Sequence, residues 1–517
     1  MTSNVALRSS TVADVLRRSA ARVPQRVALR FADREWTYAE LDAAVSRAAD
    51  RLLSLGLRKG DRVAAYGKNS DAFLIGFLAC ARAGLVHVPV NYNLIGDELA
   101  YLIEQSGSTV ALVDPLLRGH VDAVGERSGL RQVLPLRDAA DSLLDAARSG
   151  PVPELDVEIA ETDLVQLLYT SGTTSRPKGA MMTHRALVHE YLSCVVGLDL
   201  TERDEPLHVM PLYHSAQMHV FLLPWLAVGA TNQLLEVPDP AEILRRIAED
   251  RHGAFFAAPT LWVALANHPD FAGLDLGSLR KAYYGASIMP GPVLQRLRKA
   301  MPELGFYNCF GQSEIAPLAT ILRPEEHEQR PESAGRAALF VELRVVDDTG
   351  ADVAPGELGE VVYRSPQLCL GYWDKPEETA EAFRDGWFHS GDLVRIDDEG
   401  YIYVVDRIKD VINTGGVLVA SREVEDALYT HPAVGEVAVI GLPDDKWVEA
   451  ITAVIVSKPD SETGATEQEL LEHLRTRLSP FKVPKAVHFV EDLPRNASGK
   501  ILKRELRDKF GADQTGE

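Results

Sequence analysis

Between Asp61 and Val90 the chain changes its hydrophobic period twice, and this most narrows what it can fold into. Asp61-Arg62-Val63-Ala64-Ala65-Tyr66 is a short apolar run suited to a buried strand. Asp71 to Ala83 stays apolar over several helical turns and is closed by Gly84. Leu85-Val86-His87-Val88-Pro89-Val90 then returns to a strand. Strand, helix and strand in so short a span argue a largely parallel sheet with helices on its faces. The alternation recurs at Ala254-Phe255-Phe256-Ala257 and at Lys281-Ala282-Tyr283-Tyr284. Upstream, Thr11 to Arg22 places Val12, Val15, Leu16 and Ala20 on one helical face. Thr37 with Glu40 three residues on is a capping box opening the next helix.

From Val341 the texture changes. Val341 to Asp347 and Gly359 to Tyr363 alternate apolar and polar residues, punctuated by Asp348-Thr349-Gly350 and Ala354-Pro355-Gly356-Glu357, which predicts short antiparallel strands ending with Tyr401 to Asp406. After Arg407 a compact pattern follows: helix at Val424–Tyr429, strands at Val434–Ile440 and Glu449–Val456, helix at Glu467–Leu478. The fold class is therefore α/β: a large N-terminal domain of layered αβ subdomains with a β-rich part, residues 1–405, and a small α+β C-terminal domain, residues 406–517. A chain of 517 residues is too long for one core.

Composition removes several function classes. An apolar fraction of 46% and a charged fraction of 25% are ordinary for a globular protein. A net charge of −21 argues against nucleic acid and anionic membranes as partners. Cations meant for an anionic ligand must be local exceptions, and Lys178, Arg407, Lys409 and Lys500 are candidates. Cys80, Cys194, Cys309 and Cys369 form no CxxC pair, so free thiols in a reducing cytoplasm are expected. No continuous apolar stretch of about 18 residues predicts a membrane span.

One loop concentrates phosphate chemistry. Tyr169-Thr170-Ser171-Gly172-Thr173-Thr174-Ser175-Arg176-Pro177-Lys178-Gly179 follows the strand-like run Leu164–Tyr169 and precedes a helical pattern from Met181 to Tyr191. Glycine admits backbone N–H groups to the oxygens of a polyphosphate, hydroxyls donate, and Lys178 adds charge. The spacing is not that of the Walker loop. Further along, Tyr283-Tyr284-Gly285-Ala286-Ser287 ends a predicted strand with residues small enough for a planar base to lie on. In Phe306-Tyr307-Asn308-Cys309-Phe310-Gly311-Gln312-Ser313-Glu314, the carboxylate suits Mg²⁺ carried alongside substrate phosphates.

These motifs, in this order, resemble those of the acyl-adenylate-forming (ANL) superfamily, and most of all bacterial fatty-acyl-CoA synthetases. The resemblance runs from about Thr37 to Lys503. The family loop reads Tyr-Thr-Ser-Gly-Thr-Thr-Gly-x-Pro-Lys-Gly, from which this chain departs at Ser175. Thr170, Ser171, Gly172, Thr173 and Thr174 are then implied to bind ATP, with Thr174 and Glu314 on the metal. Gly285, Ala286 and Ser287 line the adenine site, and Gly285 also touches the acyl group. Phe310, Gly311, Gln312 and Ser313 match Tyr-Gly-x-Thr, preserving an aromatic face for adenine and a hydroxyl for phosphate. Asp392, in Trp387-Phe388-His389-Ser390-Gly391-Asp392, takes the ribose hydroxyls. By itself a Gly-Asp pair is a routine turn. Arg407 contacts ribose and phosphate, Lys409 is the hinge, and Gly415 and Gly416 border the CoA path. His214, in Pro211-Leu212-Tyr213-His214-Ser215, flanks the acyl pocket as a catalytic or wall residue, and Trp225 shortens that pocket. Lys500, in Pro494-Arg495-Asn496-Ala497-Ser498-Gly499-Lys500, is the adenylation lysine of a mobile C-terminal domain.

The resemblance implies ATP-dependent adenylation of a small carboxylate, then thioester formation with CoA, with Mg²⁺, ATP and CoA as the cofactor set. A homodimer is compatible with it. Two departures bear on the second step: Val417-Leu418 follows the junction glycines where Glu-Asn is common, and Ile408 replaces a frequent cation. The alternative is an adenylating enzyme with another acceptor, such as an ATP-dependent diazotase of secondary metabolism using nitrite and an aryl amine. A catalytically dead nucleotide-binding protein is disfavoured by the presence of Glu314, Asp392, Arg407 and Lys500 together.

Overall fold

A computed structural model describes residues 10–170, 176–285, 289, 291–444, 446–458, 466–495 and 501–512, the side chains of 126, 292 and 512 excepted. The chain divides into two compact units. The first holds the described residues within Met1–Thr170, Pro177–Glu342 and Tyr363–Phe388, the second those within Ser171–Arg176, Leu343–Val362 and His389–Glu517.

The predicted alternation forms two mainly parallel sheets in the first unit. Arg62–Tyr66, Val86–Val90 and Val110–Val113 pair in parallel near the centre of a six-stranded sheet. The helix Asp71–Ala83 is buried along nearly its whole length and ends on Gly84 in the left-handed region, as its composition requires. Phe73 and Phe77 are buried in the core beneath it. Burying each contributes roughly 1.5–3 kcal/mol. The predicted capping box is formed: Glu40 N–H donates to the Thr37 hydroxyl, whose own backbone N–H donates to the Glu40 carboxylate. A nine-stranded sheet carries the parallel strands Ala254–Ala257, Lys281–Gly285 and Gly305–Gly311 side by side.

One local expectation is overturned. The segment after the phosphate loop does not enter a helix at Met181. Lys178–Thr183 is a strand, antiparallel to Leu164–Thr170, with Thr170 opposite Lys178 and Leu168 opposite Ala180. Ala180 and Met182 point into the core, a period of two within a stretch that also fits a helical period. The helix begins only at His184, with the Thr183 side chain accepting from Ala186 N–H.

Polar chains also run through this unit. His87 Nδ1 meets Gln166 Nε2 at 3.2 Å, Gln166 Oε1 meets His219 Nε2 at 2.7 Å, and His219 Nδ1 meets the Tyr191 hydroxyl at 3.0 Å. His219 sits on the π-helix Ala216–Leu222. His208 bonds Asn232 and Gln217, and His184 Nδ1 accepts from Val12 N–H.

The alternating runs form a five-stranded sheet. Its strands are Glu342–Val346, Leu358–Arg364, Phe383–Arg384, Trp387–Ile396 and Ile402–Arg407. Beyond it, Ile412–Thr414, Val417–Val419, Val434–Asp444, Val448–Ser457 and Ala486–Phe489 make another sheet. The helices Ser421–Tyr429 and Glu467–Arg475 pack Val424, Leu428, Leu470 and Leu474 against this sheet's Val437, Val439 and Ile451. The compact second unit is thus larger than the segment 406–517 read from sequence, because it also gathers 343–362 and 389–405.

Candidate active site

In the first unit, adjacent parallel strands end together. Lys281–Gly285 and Gly305–Gly311 are in register, with Gly285 opposite Cys309. Ligands in open α/β sheets bind outside such carboxyl ends. Both glycines are sterically obligatory: a Cβ would lie 2.2 Å from the Cys309 carbonyl oxygen at Gly285, and 2.0 Å from that of Pro317 at Gly311. Half-buried Phe310 sits at this edge, next to Gly311. Gln312 then caps a tight 3₁₀ turn, Ser313–Ile315, that carries Glu314.

Glu314 is only 7% exposed. Its Oε1 accepts the Tyr372 hydroxyl at 2.9 Å, and its carbonyl accepts Cys369 N–H at 2.8 Å. The Lys178 ammonium lies 5.1 Å from the centre of the same Tyr372 ring. Behind the turn, fully buried Glu190 accepts from Leu318 N–H at 3.0 Å and from Gln367 Nε2 at 2.6 Å. Gln367 Nε2 also reaches the Leu318 carbonyl at 3.1 Å. Burial holds the Glu190 carboxyl well above the usual range.

The loop before the π-helix joins this edge through Ser215 and Ser313, whose hydroxyls are 3.0 Å apart. His214 Nδ1 accepts Ala216 N–H at 3.3 Å, which puts the ring proton on Nε2. Burial lowers this imidazole to about 4, so His214 is neutral at pH 7 and offers a donor rather than a charge. Trp225 corrects the expectation of a pocket-shortening wall. It is 0% exposed, its indole N–H bonds Asp204 at 3.1 Å, and its ring packs on His208 and Tyr283. It belongs to the packed core, where its N–H has found a partner.

In the second unit, Asp392 and Arg407 face each other across paired strands. Arg407 Nε is 2.6 Å from Asp392 Oδ1. Lys409 is exposed on the 3₁₀ turn Ile408–Asp410, whose Asp410 is buried. One ion pair ties this segment to the last helix, Asp410 with Arg507 at 2.6 Å, and a second ties that helix to Ser421–Tyr429, Lys503 with Glu425 at 2.8 Å. Gly415 and Gly416 form the two-residue turn between Ile412–Thr414 and Val417–Val419, with φ of 64° and 85°. Two positive φ values suit a tight hairpin and explain a Gly-Gly pair. Gly415 N–H donates to the Trp447 carbonyl at 2.5 Å, whereas a Cβ on Gly416 would meet nothing within 4 Å. Conformation, not crowding, therefore requires glycine at 416 here.

Ser171, Gly172, Thr173, Thr174, Ala286, Ser287 and Lys500 lie outside the described residues. Thr170 and Lys178 at the base of the phosphate loop are described, and they face each other in register. Among the described residues no group of three or more His, Cys, Asp or Glu side chains converges as a metal cage. A single carboxylate such as Glu314 fits an ion held chiefly by phosphates. Sequence reading missed Tyr372, Glu190 and Gln367, since a lone tyrosine after Gly371 and a lone glutamate inside a helix carry no motif.

Residues 16–373 match the family of AMP-binding enzymes, and residues 423–500 match the AMP-binding enzyme C-terminal domain. The chain is 40% identical to a feruloyl-CoA synthase of Amycolatopsis sp, over 96% of this chain and 98% of that one. It is 36% identical to a long-chain-fatty-acid–CoA ligase of Mycobacterium tuberculosis, over 93% and 94%. The o-succinylbenzoate CoA synthetase of Bacillus subtilis, solved with its acyl-adenylate intermediate, superposes with a TM-score of 0.84 at 28% identity, covering 96% and 98%. No helix among the described residues is long and apolar enough to cross a membrane. With both parts of the chain matched by the family and relatives aligned over nearly its whole length, the chain belongs to the AMP-binding enzyme family, the acyl-adenylate-forming superfamily that includes acyl-CoA ligases.

Proposed function

We propose that this protein activates an apolar organic carboxylate, aromatic or long-chain, as an acyl-adenylate and transfers the acyl group to CoA. The observation that carries the proposal is the shared edge where Gly285, Phe310, Gly311 and Glu314 meet, with Lys178 beside it across Tyr372. The relatives supply the substrate class: ferulate and long-chain fatty acids are what the two CoA ligases named above act on.

In the first half-reaction a carboxylate oxygen attacks the α-phosphorus of ATP in line, the P–O bond to pyrophosphate breaks, and acyl-AMP forms. No protein nucleophile takes part, so catalysis is positioning and charge neutralisation. Gly285 and Gly311 let backbone approach the base, and Phe310 stacks on it. Lys178, with Thr170 and the loop hydroxyls Ser171, Thr173 and Thr174, holds the phosphates. Glu314, with Thr174, would hold Mg²⁺, which supplies charge neutralisation on phosphate oxygens when bound. Asp392 accepts the ribose hydroxyls while keeping Arg407 on its other lone pairs. Neutral His214 bounds the acyl group as a hydrogen-bond donor. In the second half-reaction the CoA thiolate attacks the acyl carbonyl and AMP leaves with both electrons of the broken C–O bond. The turn at Gly415 and Gly416 borders the thiol, Lys409 is the pivot, and Lys500 serves only adenylation. Four buried, unpaired thiols suit a reducing cytoplasm.

The test is a panel of ferulate, other aryl acids and fatty acids of graded length. Pyrophosphate release and AMP formation are followed with and without CoA, with thioester detected by mass spectrometry. Acid-dependent pyrophosphate release and a CoA-dependent thioester are expected. AMP formation that ignores CoA but needs nitrite and an aryl amine would overturn the ligase reading in favour of a diazotase.

A further inference from the structure

The segment 367–373 belongs to no predicted motif, yet it crosses between the two charged groups of the phosphate site. Leu370 N–H donates to the Met181 carbonyl at 3.0 Å, Met181 N–H to that of Gly371 at 2.9 Å, and Trp373 N–H to that of Gly179 at 2.8 Å. These bonds lay the segment against the strand that starts at Lys178. On its other side Cys369 N–H holds the Glu314 carbonyl, and Gln367 holds the Leu318 carbonyl and Glu190. The segment therefore straps the Lys178 strand to the Glu314 turn.

Tyr372 stands at the centre of this strap and is 8% exposed. Its backbone is fixed by Tyr372 N–H donating to the Thr379 hydroxyl at 2.9 Å, which itself donates to the Lys375 carbonyl at 2.7 Å. With both ends held, one side chain meets both charges. The hydroxyl donates to Glu314 Oε1, and the ring face receives the Lys178 ammonium. No hydrogen bond to Glu314 Oε2 occurs among the described residues. The tyrosine thus occupies one oxygen of the carboxylate and leaves the other for a metal ion. Cation–π attraction steers the lysine without neutralising it, as a second carboxylate would.

We infer that Tyr372 is a positioning residue for the nucleotide site, orienting the Glu314 carboxylate toward the ATP-borne metal and the Lys178 ammonium toward the phosphates through opposite parts of one side chain. This rests on the roles proposed above for Glu314 and Lys178. It adds a residue that carries no charge and touches no reacting atom.

The two contacts separate by substitution. Tyr372→Phe removes the hydroxyl and keeps the ring; Tyr372→Leu removes both. ATP binding to the full-length protein is measured by calorimetry without any carboxylate, over a Mg²⁺ titration and in Mg²⁺-free buffer, with thermal melts as a check on folding. Tyr372→Phe should raise the Mg²⁺ concentration for half-maximal ATP binding about tenfold, equivalent to about 1.4 kcal/mol, and leave Mg²⁺-free binding unchanged. Tyr372→Leu should weaken Mg²⁺-free binding as well. Glu314→Gln run in parallel distinguishes the failures. If it shifts the Mg²⁺ titration and Tyr372→Phe does not, the Tyr372 inference is wrong while the site stands. If neither shifts it, both are wrong. If Tyr372→Leu melts too low to study, the Phe variant alone decides the hydroxyl contact, and an unshifted titration overturns it.

Discussion

Mild acid should unfold the first unit by protonating imidazoles that are buried neutral. His87, His184, His208 and His219 are fully buried. Burial lowers His87 and His219 to about 3, and His184 and His208 to about 4. Unfolding returns each to about 6.5, so the unfolded chain binds more protons, and stability present above that pH is lost as pH falls toward the folded values. At pH 5 each imidazole has forfeited about 2 kcal/mol, and the four together about 8 kcal/mol. Glu190 works in the opposite sense. Its carboxyl is raised in the folded state by burial, so the folded form keeps a proton that the unfolded form releases above about pH 4.5, which offsets part of that loss. The imidazole loss is comparable with the whole stability of an ordinary domain, about 5–15 kcal/mol. Calorimetric melts from pH 7.5 to 4.5, with proton uptake measured in buffers of different ionisation enthalpy, should show a steep fall in Tm below pH 6.5 and net uptake of about three to four protons on unfolding at pH 5. A melting temperature flat between pH 7 and 5, or uptake under one proton, would refute the argument.

Three further outcomes concern the reaction. Lys500→Ala should abolish pyrophosphate release yet spare CoA attack on preformed acyl-adenylate, checked by assaying the half-reactions separately; equal loss in both defeats the assignment. Gly285→Ala, whose Cβ would meet a carbonyl at 2.2 Å, should lose ATP binding at least tenfold with a melting drop of several degrees; normal binding would remove Gly285 from the adenine site. Gly416→Leu should cost about 1–2 kcal/mol of hairpin stability through its positive φ and slow thioester formation more than pyrophosphate release, read by single-turnover kinetics; equal slowing of both would take the hairpin off the CoA path.

Much of the fold was legible because burial imposes period on sequence. The helix Asp71–Ala83 and the strands Arg62–Tyr66 and Val86–Val90 appear where the apolar pattern put them. Lys178–Thr183 did not, because six residues with apolar Ala180 and Met182 satisfy both periods, and only pairing with Leu164–Thr170 selects the strand. Two glycines of the candidate site lie within contiguous motifs, and the structure gives each a local reason: the carbonyls of Cys309 and Pro317 leave no room for a Cβ at Gly285 and Gly311. Tyr372 and Glu314 are 58 positions apart, and Gln367 and Glu190 are 177 apart. No local pattern announces such pairs. Trp225 was misread because aromatic residues near a pocket motif look alike whether they line a cavity or, as here, fill the core behind it.

A chain of net charge −21 that binds ATP and CoA must solve an electrostatic problem locally. Two of the described candidate cations, one in each unit, are partnered in different ways. Lys178 rests on an aromatic face, which attracts a cation without cancelling its charge, as the phosphate role proposed for it would need. Arg407 is paired with Asp392, a carboxylate with lone pairs enough for a guanidinium and two hydroxyls at once. In the roles proposed for these two residues, a ribose would join the existing pair rather than break it, and the guanidinium would already be held in place. Glu314 follows the logic of Lys178 with the sign reversed: a neutral hydroxyl holds it, and its charge stays uncancelled, as the metal role proposed for it would need. Lys178 and Glu314 are each held by a neutral group that fixes direction and spends little charge, whereas Arg407 shares its charge with Asp392 and gains a fixed direction in return; groups aimed beforehand are the condition for electrostatic stabilisation without rearrangement at the moment of reaction.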